Sequence, residues 1–271
     1  VSDLVVSLTT IPSRVDTLGD FLAGLERQTL TPDRVELYVP RRYKKRKLGR
    51  LRKQDVPAAF EVIECEDMGP ATKILPALTR HAPDTRLVYC DDDKVYPPDW
   101  LARLAAQGDR YPRACIADEV MSVATQAYRM HATGEDRVGL AERLRRRIAG
   151  TNLPPEFCVV AGFGGVLVKP RFFDALVQDI PDVVWTVDDV WLSACLARTG
   201  TPIVWTGRAD GARAGNIVRE GAKVGRRRDA LIRYAYKGYD RDSANDYAVR
   251  YAIEHLGVWR RFRAARNSAA S

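Results

Sequence analysis

Three carboxylates stand side by side at the end of Leu87-Val88-Tyr89-Cys90-Asp91-Asp92-Asp93. Adjacent acids repel one another, and a divalent cation offsets that repulsion. On extended backbone Asp91 and Asp93 project to the same side. Hard carboxylate oxygens suit Mg2+ or Mn2+, ions that also take diphosphate oxygens. The run equally suits a polar loop that leads into a helix opened by Pro98. A second acidic pair, Asp188-Asp189, lies between Trp185 and Trp191. A carboxylate there could take the proton of a hydroxyl. Thr186 with Asp189 three residues later also fits a capping box, and acids are favoured at a helix start in any case.

Two further segments could approach a ligand. In Asp67-Met68-Gly69-Pro70-Ala71-Thr72-Lys73 a glycine precedes a helix start, and Lys73 is spaced to reach an anion. A turn with a helix-start proline explains the same residues. Gly162-Phe163-Gly164-Gly165 lets a ligand near the backbone, with Phe163 able to cover an apolar sugar face, or it is a tight turn into a strand. The run Arg41-Arg42-Tyr43-Lys44-Lys45-Arg46-Lys47, continued by Arg50, Arg52 and Lys53, fits an anionic acceptor, lipid head groups, nucleic acid or simply water. Arg226-Arg227-Arg228 and Arg260-Arg261-Phe262-Arg263 add basic patches, and Trp259 with Phe262 suits a membrane surface or helix packing.

The elements that must position these residues follow from hydrophobic periodicity. Strands are expected at 4–8, 35–39, 60–65, 87–90 and 166–168. Leu18, Phe21, Leu22 and Leu25 mark one face of a helix. Further helices are expected from Ala71 to His81, after Pro98, from Glu135 to Ile148, and from Asp188 to Arg198 with Gly200 as the stop. Strand alternates with helix over the first 120 residues, the pattern of an α/β fold with a mostly parallel sheet. Ligands in such sheets lie at the carboxyl ends of strands, where the three aspartates fall.

With 43 Lys and Arg against 35 Asp and Glu, the net charge of +8 favours anionic partners. The five cysteines have no CxxC spacing and sit mostly in apolar segments, so they read as buried free thiols of a reducing compartment. There is no P-loop, no GxGxxG opening the first helix, no GxSxG elbow and no HExxH. Three histidines make a histidine metal centre a poor reading. No apolar run approaches the roughly 20 residues that span a bilayer.

In order and spacing these segments resemble GT-A glycosyltransferases of the bacterial, family-2-like kind, over residues 4 to 206. Val5 to Arg14 resembles their opening strand and nucleotide loop, and Asp91-Asp92-Asp93 their DxD motif. Gly164-Gly165 resembles the glycine segment beside the donor sugar, and Asp188-Asp189-Val190-Trp191 the late acidic motif. The resemblance implies a Rossmann-like, mostly parallel central sheet flanked by helices. It implies a GT-A domain over 1–225, with a nucleotide-binding half (1–120) and an acceptor and catalytic half (121–225). A helical basic tail would follow over 226–271.

It also implies roles. Thr9, Pro12 and Arg14 would line the base and ribose. Asp67 and Lys73 would lie near the nucleotide, with Lys73 toward the base or diphosphate. Asp91, with Asp92 beside it, would face the ribose or metal-bound water. Asp93, with Asp91, would hold Mn2+ or Mg2+. Gly164 and Gly165 would border the donor sugar. Asp189 would be the base if the enzyme inverts, with Asp188 supporting it or holding an acceptor hydroxyl; the same motifs also occur in retaining members. Two departures stand out: the only late histidine, His255, lies in a helical segment, and Val39-Pro40 stands where many members place an acid.

The implied function is metal-dependent transfer of a sugar from a UDP-linked donor to an oligosaccharide, polysaccharide or lipid-linked glycan in bacterial surface polysaccharide synthesis. The setting would be the cytoplasm, with peripheral contact at the inner face of the membrane. A sugar-nucleotidyltransferase would carry a glycine-rich basic loop after the first strand, which Thr9 to Arg14 is not. A nucleic-acid or anionic-polymer binding module would leave the three aspartates unexplained.

Overall fold

A computed structural model describes residues 3–43, 47–123, 126, 152–153, 158–206, 214–219, 222–223 and 231–260. The expected helix at 135–148, Lys44 to Arg46, the arginines 226–228 and the tail beyond 260 lie outside these residues.

The chain begins with β1 (Leu4–Thr9), a buried, β-branched run, followed by α1 (Leu18–Glu26), β2 (Arg34–Pro40) and β3 (Glu61–Cys65). Next come α2 (Leu75–Arg80), β4 (Arg86–Tyr89), the short β5 (Lys94–Val95) and α3 (Trp100–Arg110). Then follow β6 (Cys115–Ala117), β7 (Val120–Ser122), β8 (Asn152–Leu153), β9 (Cys158–Val160) and β10 (Val166–Val168). The described part closes with α4 (Asp188–Arg198), β11 (Ile203–Trp205) and α5 (Arg241–Tyr251).

The main sheet has the order β3-β2-β1-β4-β10-β6-β11-β8. β3, β2, β1 and β4 are parallel, as are β6 and β11. β10 runs against both its neighbours, and β8 against β11 at the edge. Because side chains alternate along a strand, β1 feeds two cores. Leu4, Val6 and Leu8 pack with Leu18 and Phe21 of α1 and with Trp100, Leu101 and Leu104 of α3. Val5 faces the opposite core, with Ile74 beside α2, Val190 and Trp191 of α4, and Ala244 and Ala248 of α5. The result is a three-layer α/β arrangement with both faces of a mostly parallel sheet covered, as the alternating pattern predicts. All five cysteines are free, and four are buried.

The helix expected from Ala71 to His81 is two pieces. Gly69–Lys73 forms a 3-10 turn, Ile74 leaves helical backbone with φ −137°, and α2 restarts at Leu75. Pro76 at the second position of α2 suits a restart, because proline lacks the N–H that a continuous helix would need there. This break turns Lys73 inward.

Candidate active site

The carboxyl ends of β1 and β4 lie side by side in register, Ser7 opposite Tyr89. β10 runs the other way, with its first residue Val166 opposite Tyr89. Its preceding loop, 162–165, therefore reaches the same edge. A cavity of about 490 Å3 opens there. It gathers Thr9, Arg14, Asp67, Lys73, Asp91, Asp92, Asp93, Asp188 and Asp189 from four separate stretches of sequence.

The aspartate triplet is a turn rather than extended strand. Its three side chains consequently diverge. Asp92 accepts from Thr10 Oγ1 at 2.6 Å and from Arg14 Nη1 at 2.8 Å. It pins the loop after β1 to the triplet, a locking role rather than a free ligand position. Tyr43 donates to the Thr10 carbonyl at 2.9 Å and adds to this lock. Arg14 arrives on the 3-10 turn Pro12–Thr17, and its guanidinium also lies 3.5 Å from Asp93. Burial works against its charge, but Asp92 and Asp93 more than compensate and hold Arg14 firmly protonated.

Lys73 is only 4% exposed. Its Nζ lies 2.9 Å from Asp91 Oδ1 and 3.1 Å from Asp188 Oδ2. The ammonium thus bridges the two acidic motifs that the sequence keeps nearly a hundred residues apart. Burial opposes its charge, yet Asp188 and Asp91 raise its pKa well above the ordinary value. Burial likewise opposes ionisation of Asp91, but Lys73 prevails and holds its carboxyl below the usual range. The sequence expectation placed Lys73 toward a base or diphosphate. The geometry instead engages it with two carboxylates.

Asp189 is buried and accepts the N–H of Gly162 at 3.0 Å. Burial, reinforced by Asp188, pushes its pKa up to about 7. That value suits a group that takes a proton near neutrality. The capping-box reading fails here. Val187 is the N-cap, no side chain caps the helix, and Asp188 and Asp189 turn to Lys73 and Gly162. A Cβ on Gly162 would lie 2.8 Å from Lys73 Nζ and 3.1 Å from Asp189 Oδ1, so the approach requires glycine.

Gly164, Gly165 and Pro12 are not among the residues lining the cavity. Gly165 has φ +89° and backs onto the Trp100 ring, while Gly164 backs onto Glu119. Trp100 Nε1 donates to the Gly164 carbonyl at 2.9 Å, and Trp100 stacks on Tyr96 at 4.0 Å. Tyr96 donates to the Phe163 carbonyl at 3.2 Å and accepts the Asp91 N–H at 3.3 Å. These glycines serve packing behind the site, while Phe163 lines it and Gly162 supports Asp189. Sequence reasoning also passed over Thr10, Tyr96, Lys94 and Arg241. Thr10 adjoins a predicted strand end, but no local pattern marks Arg241.

A divalent cation can be tested against these atoms. Asp93 Oδ1 is buried and has no hydrogen-bond partner, with Lys94 Nζ 3.5 Å away. Burial, together with Asp91 and Asp92, raises the Asp93 pKa to about 6 even though Lys94 and Arg14 stand nearby. Among the described residues no three acidic, histidine or cysteine side chains form a closed cage. Mg2+ needs none, since it is commonly held by one or two carboxylates plus substrate phosphates. The donor set fits a cation on Asp93. Asp91, expected to share it, has Oδ1 on Lys73, because the turn separates the two side chains.

No protein-family model matches the sequence, and no curated protein matches it. Solved structures do. The S. aureus TarS fragment 1–349 in complex with UDP-GlcNAc aligns at TM-score 0.51 and 12% identity, over 82% of this chain and 60% of that one. The mannosyltransferase PcManGT from Pyrobaculum calidifontis, in complex with GDP-Man and Mn2+, aligns at TM-score 0.49 and 15% identity, over 99% and 75%. The chain spans about three-fifths of the length of the TarS fragment. The fold is thus the mixed α/β fold of GT-A-like glycosyltransferases.

Proposed function

We propose that this chain transfers a sugar from a nucleotide-diphosphate donor to a hydroxyl of a glycan acceptor. The observation that carries this reading is the Lys73 bridge, which brings the aspartate triplet and the late aspartate pair to one cavity. The donor nucleotide, UDP in this reading, lies along Thr9, Arg14 and Asp67. Asp93 would hold Mn2+ or Mg2+. When bound, the cation offsets charge on the leaving diphosphate. Asp189 accepts the proton of the acceptor hydroxyl. The hydroxyl oxygen then bonds to the anomeric carbon, and that carbon's bond to the diphosphate oxygen breaks. A single displacement of this kind inverts the anomeric centre. Asp188, fixed by Lys73, holds the helix start on which Asp189 is carried.

In this reading residues 1–120 bind the donor, 121–225 supply the acceptor side and the base, and the tail from 226 contributes a wall. The acceptor is an oligosaccharide, polysaccharide or lipid-linked glycan of a bacterial surface polymer. Contact with anionic lipid through the basic segments would keep the enzyme near such an acceptor. Calorimetric titration of UDP, GDP, CMP and dTDP with and without Mn2+ tests the proposal. The expected result is metal-dependent binding of one nucleotide, lost in Asp93→Asn. Metal-independent binding, or none of the four bound, overturns the role of Asp93.

A further inference from the structure

We infer that the acceptor is an anionic glycan, seated on Phe163 and gripped by Arg241; this rests on the glycosyltransferase reading above. Phe163 is 38% exposed, one of two large hydrophobic side chains exposed among the described residues, and it lines the cavity. It directly follows Gly162, whose N–H holds Asp189. A sugar stacked on this ring therefore lies beside the proton acceptor. Aromatic rings suit the apolar faces of such ligands, with a few polar groups setting their orientation. Lys94 Nζ stands 5.8 Å from the ring centre.

The cavity's cations are unequally engaged. Arg14 is taken by Asp92 and Asp93, Lys73 by Asp91 and Asp188, and Lys94 by Asp93 and Asn216. Arg241 also lines the cavity, and no carboxylate among the described residues pairs with it. Its position is unfavourable for the helix that carries it. The first turn of α5 presents the positive end of the helix dipole, where a cation is disfavoured. The N-cap carboxylate, Asp240, is already bonded to Ser243. A guanidinium kept there at that cost offers its planar fork to a phosphate or carboxylate. α5 packs on the Val184–Thr186 turn just before Asp188, so Arg241 joins the wall of the base rather than that of Thr9 and Arg14.

The test uses the full chain saturated with the nucleotide it binds, and follows sugars by saturation-transfer NMR. The probes are N-acetylglucosamine 1-phosphate, methyl glucuronide and the neutral methyl glucoside. One or both charged sugars should bind about tenfold more tightly than the neutral one, the two arms separating phosphate from carboxylate. Arg241→Gln should erase that preference while nucleotide affinity stays within about twofold. Phe163→Ala should weaken charged and neutral sugars alike. Equal binding of neutral and charged sugars, or no binding of either charged sugar, overturns the inference. So does an Arg241→Gln chain that loses nucleotide affinity, since Arg241 would then serve the donor diphosphate. A parent chain that binds no nucleotide fails the underlying reading instead, a distinct result.

Discussion

Asp189 combines the features expected of a base: burial, a neighbouring like charge and one backbone N–H. Its raised pKa gives a signed pH prediction. With the ordinary value 3.8 and the folded value about 7, the folded chain holds its proton more tightly than the unfolded chain. Stability tied to that proton is complete below pH 4 and is lost as pH rises through about 7. Asp189→Asn should therefore raise the unfolding free energy measured in urea at pH 8, by about 4 kcal/mol if the whole shift is relieved, and leave it nearly unchanged at pH 4. Transfer rates of the parent should climb with pH up to about 7 and then level, and the Asn variant should lose roughly 100-fold or more. A rate that is flat across pH 5 to 8 would remove Asp189 from the base role. Gly162→Ala gives an independent check. The added methyl must displace the Lys73 ammonium or Asp189, so kcat should fall by about tenfold or more. These residues differ in how openly the sequence announced them. Adjacent aspartates at a strand end are visible by type and position. The divergence of Asp91, Asp92 and Asp93 is not, because it depends on a turn and on partners as remote as Thr10, Arg14 and Lys73.

Among the elements, the broken segment between Gly69 and Arg80 matters most for the site. Pro70 and Pro76 mark both halves in the sequence, yet simple periodicity runs them together as one helix. The break delivers Lys73 to the interior, where its removal would leave two carboxylates without their partner. Lys73→Met should cost about 3–5 kcal/mol in chemical denaturation, the range for breaking a buried ion pair from one side. A loss below about 1 kcal/mol would mean that Asp91 and Asp188 find water instead. The start of α4 shows the converse. Its boundaries, Asp188–Arg198, were readable from the acids, the apolar run and Gly200. The purpose of those acids was not, since a capping box and a functional pair share one spacing. Gly162 and Lys73, brought from elsewhere, exclude the cap.

For the molecule as a whole, alternation of strand and helix was enough to expect a mostly parallel, doubly covered sheet. The reversed β10 was not expected, since a three-residue apolar strand carries no mark of its direction. The net charge of +8 also acts at this scale. Arg41, Arg42, Lys47, Arg50, Arg52 and Lys53 are exposed, and Tyr43 and Leu48 of the same stretch form part of the cavity wall. Flotation with vesicles containing phosphatidylglycerol should show binding at low ionic strength that is lost by about 0.5 M NaCl, while neutral vesicles retain none. Equal recovery on neutral vesicles would argue against an electrostatic contact. The backward course of β10 has one more consequence. A strand that starts at the site rather than ending there presents its entry loop to the ligand and sends its far end into the sheet. Under the proposed transfer function, donor-side strands and acceptor-side loop can then vary separately. A chain altered only at Phe163 would be a small experiment in changing glycan choice on an unchanged nucleotide platform.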